Sequence, residues 1–271
     1  MTNPWLALLL AVTLPLPAAP LTLPAAPLSQ AHAHNDYEHP RPLLDALDRG
    51  FCSVEADIWL IEGELLVAHS RSQTRPGRTL QALYLDPLQA RCRVNQGRVH
   101  PKGPPFTLLI DVKSEATNTY RALHEVLCGY EPILTRFQRE HTQTNAVTIL
   151  ITGNRARGLM ATEQTRLAAY DGRLADLELQ PRPSLQFMPL VSDDWEHFFK
   201  WRAEGPLPEA ERKKLRRIVN SAHQQGRRLR FWGAPDTRAA WQELTDAGVD
   251  LINTDDLAGL QQFLATRLAV Q

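Results

Sequence analysis

Short β-rich runs and helix-spaced segments alternate along nearly the whole chain, and no other feature limits the fold as strongly. The runs are Gln30–Asn35, Phe51–Leu60 with an extension Leu65–His69, Phe106–Lys113, Ala146–Gly153, Leu167–Tyr170, Phe187–Val191, Arg228–Trp232 and Val249–Asn253. Between them, Leu43–Arg49, Thr119–Gln138, Glu209–Gln225 and Thr237–Ala247 have helical spacing or composition. Gly50, Gly226 and Gly248 each stand just ahead of a strand, where a helix closes. Strands that alternate with helices build a parallel sheet with crossover connections. Eight such units in 271 residues suit a closed (β/α)8 barrel. A doubly wound open sheet is the alternative and usually has fewer strands. The expected fold is α/β, a single-domain (β/α)8 barrel over residues 29–271.

The first residues stand apart. Met1–Gln30 carries no charged side chain, and Trp5–Leu16 is almost entirely apolar. Pro15, Pro17 and Pro20 cut that run short of the roughly 20 apolar residues a bilayer span needs. A short apolar run followed by small residues reads as a signal peptide with a Pro/Ala spacer over residues 1–28, which predicts an exported protein, periplasmic or extracellular. Three cysteines cannot all pair: Cys52 reads as a buried small hydrophobe, and a Cys92–Cys128 disulfide is left open. The chain balances 30 Lys+Arg against 30 Asp+Glu, which argues against nucleic acid as its main partner. Glu211–Arg217 reads as the solvated face of a helix, with peripheral contact to a membrane surface as the second reading. Nothing in the sequence sets the oligomeric state.

A strand sends alternate side chains to opposite faces. In the second run Cys52, Val54, Ala56, Ile58 and Leu60 share one face, and Ser53, Glu55 and Asp57 the other. In the third, Leu108, Ile110 and Val112 oppose Asp111 and Lys113; in the first, His32 and His34 share a face. Parallel strands are covered on both sides, so with the apolar face against helices the charged face points into the barrel mouth. Unpaired charges there cost several kcal/mol each and need a partner. Glu55, Asp57 and Asp111 together suit one hard divalent cation, Mg2+ or Ca2+, rather than a softer metal. His34 and His69 then serve as an acid–base pair near neutral pH. Lys113 supplies positive charge for an anionic substrate, as does Arg155 in the loop after the fourth run. A cation, a lysine and paired histidines describe phosphodiester chemistry.

In order and content these motifs resemble the phosphatidylinositol-phospholipase-C-like phosphodiesterases, specifically the glycerophosphodiester phosphodiesterase branch. The resemblance is to the fungal altered-inheritance-of-mitochondria group and its bacterial relatives in particular. It is carried by His34-Asn-Asp-Tyr37, Val54-Glu-Ala-Asp57 with Trp59, Leu66-Val-Ala-His69, Leu109-Ile-Asp-Val-Lys113, Phe231-Trp232 and Gly248–Asp255. It implies a TIM-type barrel with one divalent metal at Glu55, Asp57 and Asp111, and acid–base catalysis by His34 and His69. Lys113 would contact the phosphoryl oxygens and Trp232 would line the head-group pocket. The substrate would be a small-molecule or lipid phosphodiester, and the reaction a hydrolysis that can pass through a cyclic phosphate. The spacing is also similar to that of sphingomyelinase D. Two positions depart from the branch: Asn35 stands where an arginine is usual, and Asp111 replaces a glutamate. Asn35 is itself a candidate substrate-binding residue. The stretch Arg71–Pro105 reads as a partly helical flap over the site or a plain surface loop.

Two other readings remain. His32-x-His34 at a strand end also suggests an amidohydrolase-type metal site, although His100, His124, His141, His197 and His223 fall at no clear strand end. The other is a catalytically silent barrel acting as an extracytoplasmic binding protein.

Overall fold

The computed structural model describes residues 25–269. The strands are β1 (Leu28–Ala33), β2 (Phe51–Ile61), β3 (Glu64–Val67), β4 (Phe106–Val112), β5 (Arg136–Gln138) and β6 (Thr142–Gln143). They continue with β7 (Val147–Gly153), β8 (Thr165–Arg166), β9 (Ala168–Gly172), β10 (Leu190–Asp194), β11 (Arg228–Trp232) and β12 (Leu251–Thr254). The helices are α1 (Leu44–Asp48), α2 (Asp86–Val94), α3 (Ala116–Cys128), α4 (Arg157–Thr162), α5 (Trp195–Phe198), α6 (Glu209–Gln224), α7 (Arg238–Ala247) and α8 (Leu257–Leu268).

Eight strands, β1, β2, β4, β7, β9, β10, β11 and β12, pair in parallel in that order, and β1 pairs with both β12 and β2 to close the ring. This is a TIM-type (β/α)8 barrel. Helices α3, α7 and α8 begin where a side-chain acceptor meets free N–H groups: Glu115 caps α3, Thr237 caps α7 and Asp256 caps α8. Gly50, Gly226 and Gly248 have positive φ just ahead of β2, β11 and β12.

Val54, Ala56, Ile58, Leu108, Ile110 and Val112 are buried in the main core, which they share with helix residues such as Leu123, Leu215 and Leu260. Leu109, Leu150, Ala169, Leu190 and Leu251, from five barrel strands, form a second cluster with Phe137 of the small β5–β6–β8 sheet. Polar side chains that include Glu55, Asp57, Asp111 and Arg230 carry the site.

Several elements depart from the expected bounds for identifiable reasons. The Leu65–His69 extension is a separate strand, because Glu62 and Gly63 both take positive φ and turn the chain back antiparallel on β2. The helix expected over Thr119–Gln138 stops at Cys128; Gly129 and Pro132 follow, and Arg136–Gln138 is extended. The strand expected at Phe187–Val191 starts at Leu190, since Pro189 has no N–H to give to a ladder, and it runs on to Asp194. Arg71–Pro105 is the β2-to-β4 crossover rather than a flap: Leu80, Tyr84, Leu85 and Leu88 are buried in the core. All three cysteines are free, with Cys92 buried and Cys128 exposed. Of the expected leader, residues 1–24 lie outside the described residues, and Leu28 already belongs to β1. No helix among the described residues is long and apolar enough to cross a membrane. In the basic stretch of α6, Arg212 is paired with Glu243 and Glu209, and Lys214 donates to the Phe198 carbonyl.

Candidate active site

Parallel pairing of β2 with β4 sets Asp57 beside Asp111 and Glu55 beside Leu109. Ligand atoms of Glu55, Asp57 and Asp111 lie within 4.8 Å of one another, a group able to hold a metal ion. Glu55 and Asp57 are buried, at 4% and 1% exposed. Lys113 Nζ lies 2.8 Å from Asp111 Oδ2 and 3.1 Å from Asp57 Oδ2. The other oxygens, Asp57 Oδ1 and Asp111 Oδ1, are buried and have no hydrogen-bond partner. Buried carboxylate oxygens without donors are costly unless something positive meets them, so this donor set fits a hard divalent cation. Gly153, at the end of β7, makes room for the Asp111 carboxylate: a Cβ there would run into it, and its φ of +68° suits glycine.

The three carboxyls differ in acidity for physical reasons. Burial and the charges of Glu55 and Asp111 push Asp57 up to about 6, against the opposing pull of Lys113 and Tyr37. Burial also works against ionised Glu55, yet the Arg230 guanidinium and His32 hold it well below the usual carboxylate range. Lys113 is raised: burial works against its charge, but Asp111 and Asp57 more than compensate.

Both histidines expected at the site line the same cavity of about 290 Å³, together with Asn35, Glu55, Asp111, Lys113, Thr152, Gly153, Arg173, Arg230 and Trp232. His34 follows β1, and its Nδ1 lies 3.0 Å from Asp255 Oδ1 beyond the end of β12. Burial pulls its pKa down, but Asp255 and Glu55 raise it overall. His69 follows β3, with Nδ1 3.3 Å from Asp57 Oδ2 and 3.1 Å from the Tyr37 hydroxyl. Asn35 takes a left-handed conformation, φ 48°, a conformation asparagine tolerates.

Opposite the carboxylates stands a basic and aromatic wall that the strand-face reading passed over. Arg230 is 2% exposed and donates from Nη1 to Glu55 Oε2 at 2.6 Å, with His32 Nε2 at 2.8 Å. Arg173 lies just past β9, its guanidinium 4.6 Å from the centre of the Trp232 ring. The two-residue period of β11 that selects Trp232 also selects Arg230, so the signal was present in Arg230-Phe231-Trp232. Arg155 stands outside this cavity. It lines an adjoining cleft of about 710 Å³ that shares Lys113 and Gly153, donates to the Asp171 carbonyl at 2.5 Å and lies over the Tyr170 ring.

His32 is fully buried between Ser53 Oγ, at 2.7 Å from Nδ1, and Arg230, and burial lowers its pKa to about 4. Both ring nitrogens are engaged. The other imidazoles are elsewhere: His100 bonds to the Phe51 carbonyl and His223 to Asp250. An amidohydrolase-type histidine cluster therefore does not assemble around His32 and His34.

A family model described as an AIM6-like phosphodiesterase domain matches residues 24–171, more than half of the chain. The chain belongs to that family. Residues 228–258, spanning β11 and β12, also match the glycerophosphoryl diester phosphodiesterase family. The altered inheritance of mitochondria protein 6 of Eremothecium gossypii is 30% identical, over 87% of this chain and 69% of its own length. Its homolog in Arthroderma benhamiae is 28% identical, over 83% and 81%. The crystal structure of a glycerophosphodiester phosphodiesterase from Parabacteroides distasonis has the same fold, with a TM-score of 0.54 at 16% identity over 90% of this chain and 100% of that one. These relatives overturn the expectation of export: the fungal proteins are named for the inheritance of mitochondria, which is at odds with a periplasmic or extracellular protein.

Proposed function

We propose that this AIM6-like domain is a metal-assisted phosphodiesterase that hydrolyses a small-molecule or lipid phosphodiester. The observation that carries the reading is one cavity lined by Glu55, Asp111, two imidazoles and Lys113, with buried Asp57 completing the carboxylate group beside it. Glu55, Asp57 and Asp111 would hold one Mg2+ or Ca2+, which when bound polarises the phosphoryl group and offsets its charge. Lys113, with Arg173 and Arg230 on the far wall, draws the anionic ester into the cavity, and Trp232 and Asn35 line the space for its substituents. Arg155 would meet substrate through the adjoining cleft.

His34, held through Nδ1 by Asp255, is left with Nε2 to take a proton from the attacking hydroxyl, whether water or a hydroxyl of the substrate itself. His69, anchored through its own Nδ1, acts as the acid when its ring carries both protons: it gives the Nε2 proton to the departing alkoxide and is left as the neutral Nδ1–H form. Attack by a substrate hydroxyl yields a cyclic phosphate; attack by water yields the monoester directly.

The test is a panel of glycerophosphodiesters, lysophospholipids, sphingomyelin and bis(p-nitrophenyl) phosphate, assayed with EDTA and after Mg2+ or Ca2+ is restored. Turnover that chelation and His34→Ala both abolish is the expected result. Metal binding without turnover of any phosphodiester overturns it and favours a silent binding barrel. Phosphorus NMR of the products separates the cyclic from the linear route.

A further inference from the structure

The Tyr37 hydroxyl sits where three functional elements converge. It lies 2.8 Å from Asp57 Oδ2, 2.8 Å from Asn35 Oδ1 and 3.1 Å from His69 Nδ1, on a ring that is 4% exposed. The turn that presents it is fixed from several sides. Asp36, its chain neighbour, is fully buried and accepts from the Leu43 N–H at 2.5 Å and the Tyr84 hydroxyl at 2.9 Å. Arg78 donates to the Tyr37 carbonyl at 2.9 Å, and the Glu38 N–H closes on the Asn35 carbonyl at 2.8 Å. The hydroxyl is therefore a preset point rather than a mobile one.

His69 is the opposite case. Its side chain is 59% exposed, so packing does little to orient the ring. What meets Nδ1 is the Tyr37 oxygen at 3.1 Å and Asp57 Oδ2 at 3.3 Å. A phenol has one proton, and the carboxylate of Asp57 is the strongest acceptor within its reach. With that proton directed to Asp57, the lone pairs of the Tyr37 oxygen are left for N–H donors. Both neighbours of His69 Nδ1 then call for a proton on that nitrogen, and the hydrogen bond at one ring nitrogen decides the state of the other.

We propose that Tyr37 is a positioning residue that holds the neutral His69 ring with its proton on Nδ1 and leaves Nε2 as the nitrogen free to exchange protons with substrate. A histidine rotating freely in water favours the other tautomer, with the proton on Nε2, so the site has to impose this one. The role of His69 as a proton carrier rests on the phosphodiesterase reading above; its tautomer and orientation do not.

Nitrogen-15 NMR of the imidazoles, at a pH well above the ordinary histidine value of about 6.5, reads the tautomer directly without substrate or metal. Wild-type His69, assigned through His69→Gln, is expected as the Nδ1–H form. In Tyr37→Phe, which keeps the buried ring and removes only the hydroxyl, the Nε2–H form is expected to become at least half of the population. On any phosphodiester that is turned over, kcat of Tyr37→Phe is expected to fall about tenfold with KM within about twofold. A wild-type His69 found as Nε2–H overturns the proposal whatever the variant does. An Nδ1–H signature that survives in Tyr37→Phe overturns it in favour of Asp57 alone. If no phosphodiester is turned over, the functional reading fails while the tautomer result still decides this one.

Discussion

Two walls of opposite character face each other across the cavity. On β2 and β4, Glu55, Asp57 and Asp111 crowd together with Lys113 as their nearby cation; just past β9 and on β11, Arg173 and Arg230 lie against Trp232. Arg230 reaches across to Glu55, whereas nothing comparable reaches the Oδ1 atoms of Asp57 and Asp111. One wall is settled by internal pairing and the other is left with unmet charge. Such an imbalance suits a site whose partners arrive from solution, the cation on the acidic side and the phosphoryl anion between the two.

The largest expected effect falls on the unsettled wall. Asp111→Asn removes one negative charge and keeps the shape, and we expect it to lower turnover about 10⁴-fold, roughly 5 kcal/mol of barrier. Without metal the same variant should be as stable as the wild type or more so, because the Asp111 charge is one of the causes that raise Asp57. Thermal unfolding with and without Mg2+ or Ca2+ checks both halves: the wild type should be stabilised by the ion and the variant should not. An ion-induced shift equal in the two proteins would break the contrast.

The settled wall should instead announce itself in stability. Arg230→Met leaves Glu55 buried without its guanidinium partner, with His32 at 3.5 Å, and is expected to cost about 3–5 kcal/mol of unfolding free energy. Adding Glu55→Gln should recover much of that loss, since the stranded charge is gone. Urea unfolding of the two single variants and the double variant gives the coupling; additivity within about 0.5 kcal/mol would mean that Arg230 and Glu55 do not act as a pair.

The same contrast explains what the sequence revealed. The acidic wall follows from a two-residue period: Glu55 and Asp57 oppose Val54, Ala56 and Ile58, and no other arrangement of a covered parallel strand accommodates them. His34 shares a face with His32 in the first run, and His69 closes the extension of the second. Arg230 obeys the same period but was passed over, because a lone arginine in a strand normally reads as a solvent-facing residue and is seldom buried without a partner. Its partner, Glu55, is 175 positions away, and only barrel closure brings the two together. Tyr37 was visible as part of His34-Asn-Asp-Tyr37, but its three contacts depend on a turn set by Asp36 and Tyr84, which no local pattern announces. Arg155 was placed correctly after the fourth barrel strand, yet its direction is fixed by Tyr170 and the Asp171 carbonyl, both contributed by the next strand.

Asp36 shows what becomes of a buried carboxyl that belongs to neither wall. Its hydrogen-bond donors are the neutral Leu43 N–H and Tyr84 hydroxyl, its Oδ1 has no partner, and burial pushes its pKa up to about 7. The folded state then holds this proton more tightly than the unfolded chain, whose value is near 3.8. Acidification from pH 7 towards 4 therefore favours the native state through this residue, and raising the pH through 7 costs it. Asp36→Asn has no such dependence. The stability of the wild type relative to that variant should fall by about 3 kcal/mol between roughly pH 5 and pH 8, measured by denaturant titration at each pH. His32, lowered to about 4, acts with the opposite sign: it withdraws stability as the pH falls from about 6.5 to 4, so only the difference between wild type and variant isolates Asp36.

The smallest effect separates two arginines that stand on either side of the cavity's edge. Arg173 lines the cavity against Trp232, and its guanidinium meets Thr152 Oγ1 at 3.3 Å. Removing it should weaken substrate capture, with Arg173→Ala raising KM about tenfold, or about 1.4 kcal/mol, at little change in kcat. Arg155 spends its guanidinium on the Asp171 carbonyl and the Tyr170 ring, so Arg155→Ala should leave KM within about twofold for a small diester that fits the 290 Å³ cavity. A bulkier ester whose second substituent extends into the 710 Å³ cleft should bring Arg155 into play and narrow the gap between the variants. Equal losses on the small diester would mean that the two spaces act as one site, and that the basic wall extends past β9 to the loop after β7.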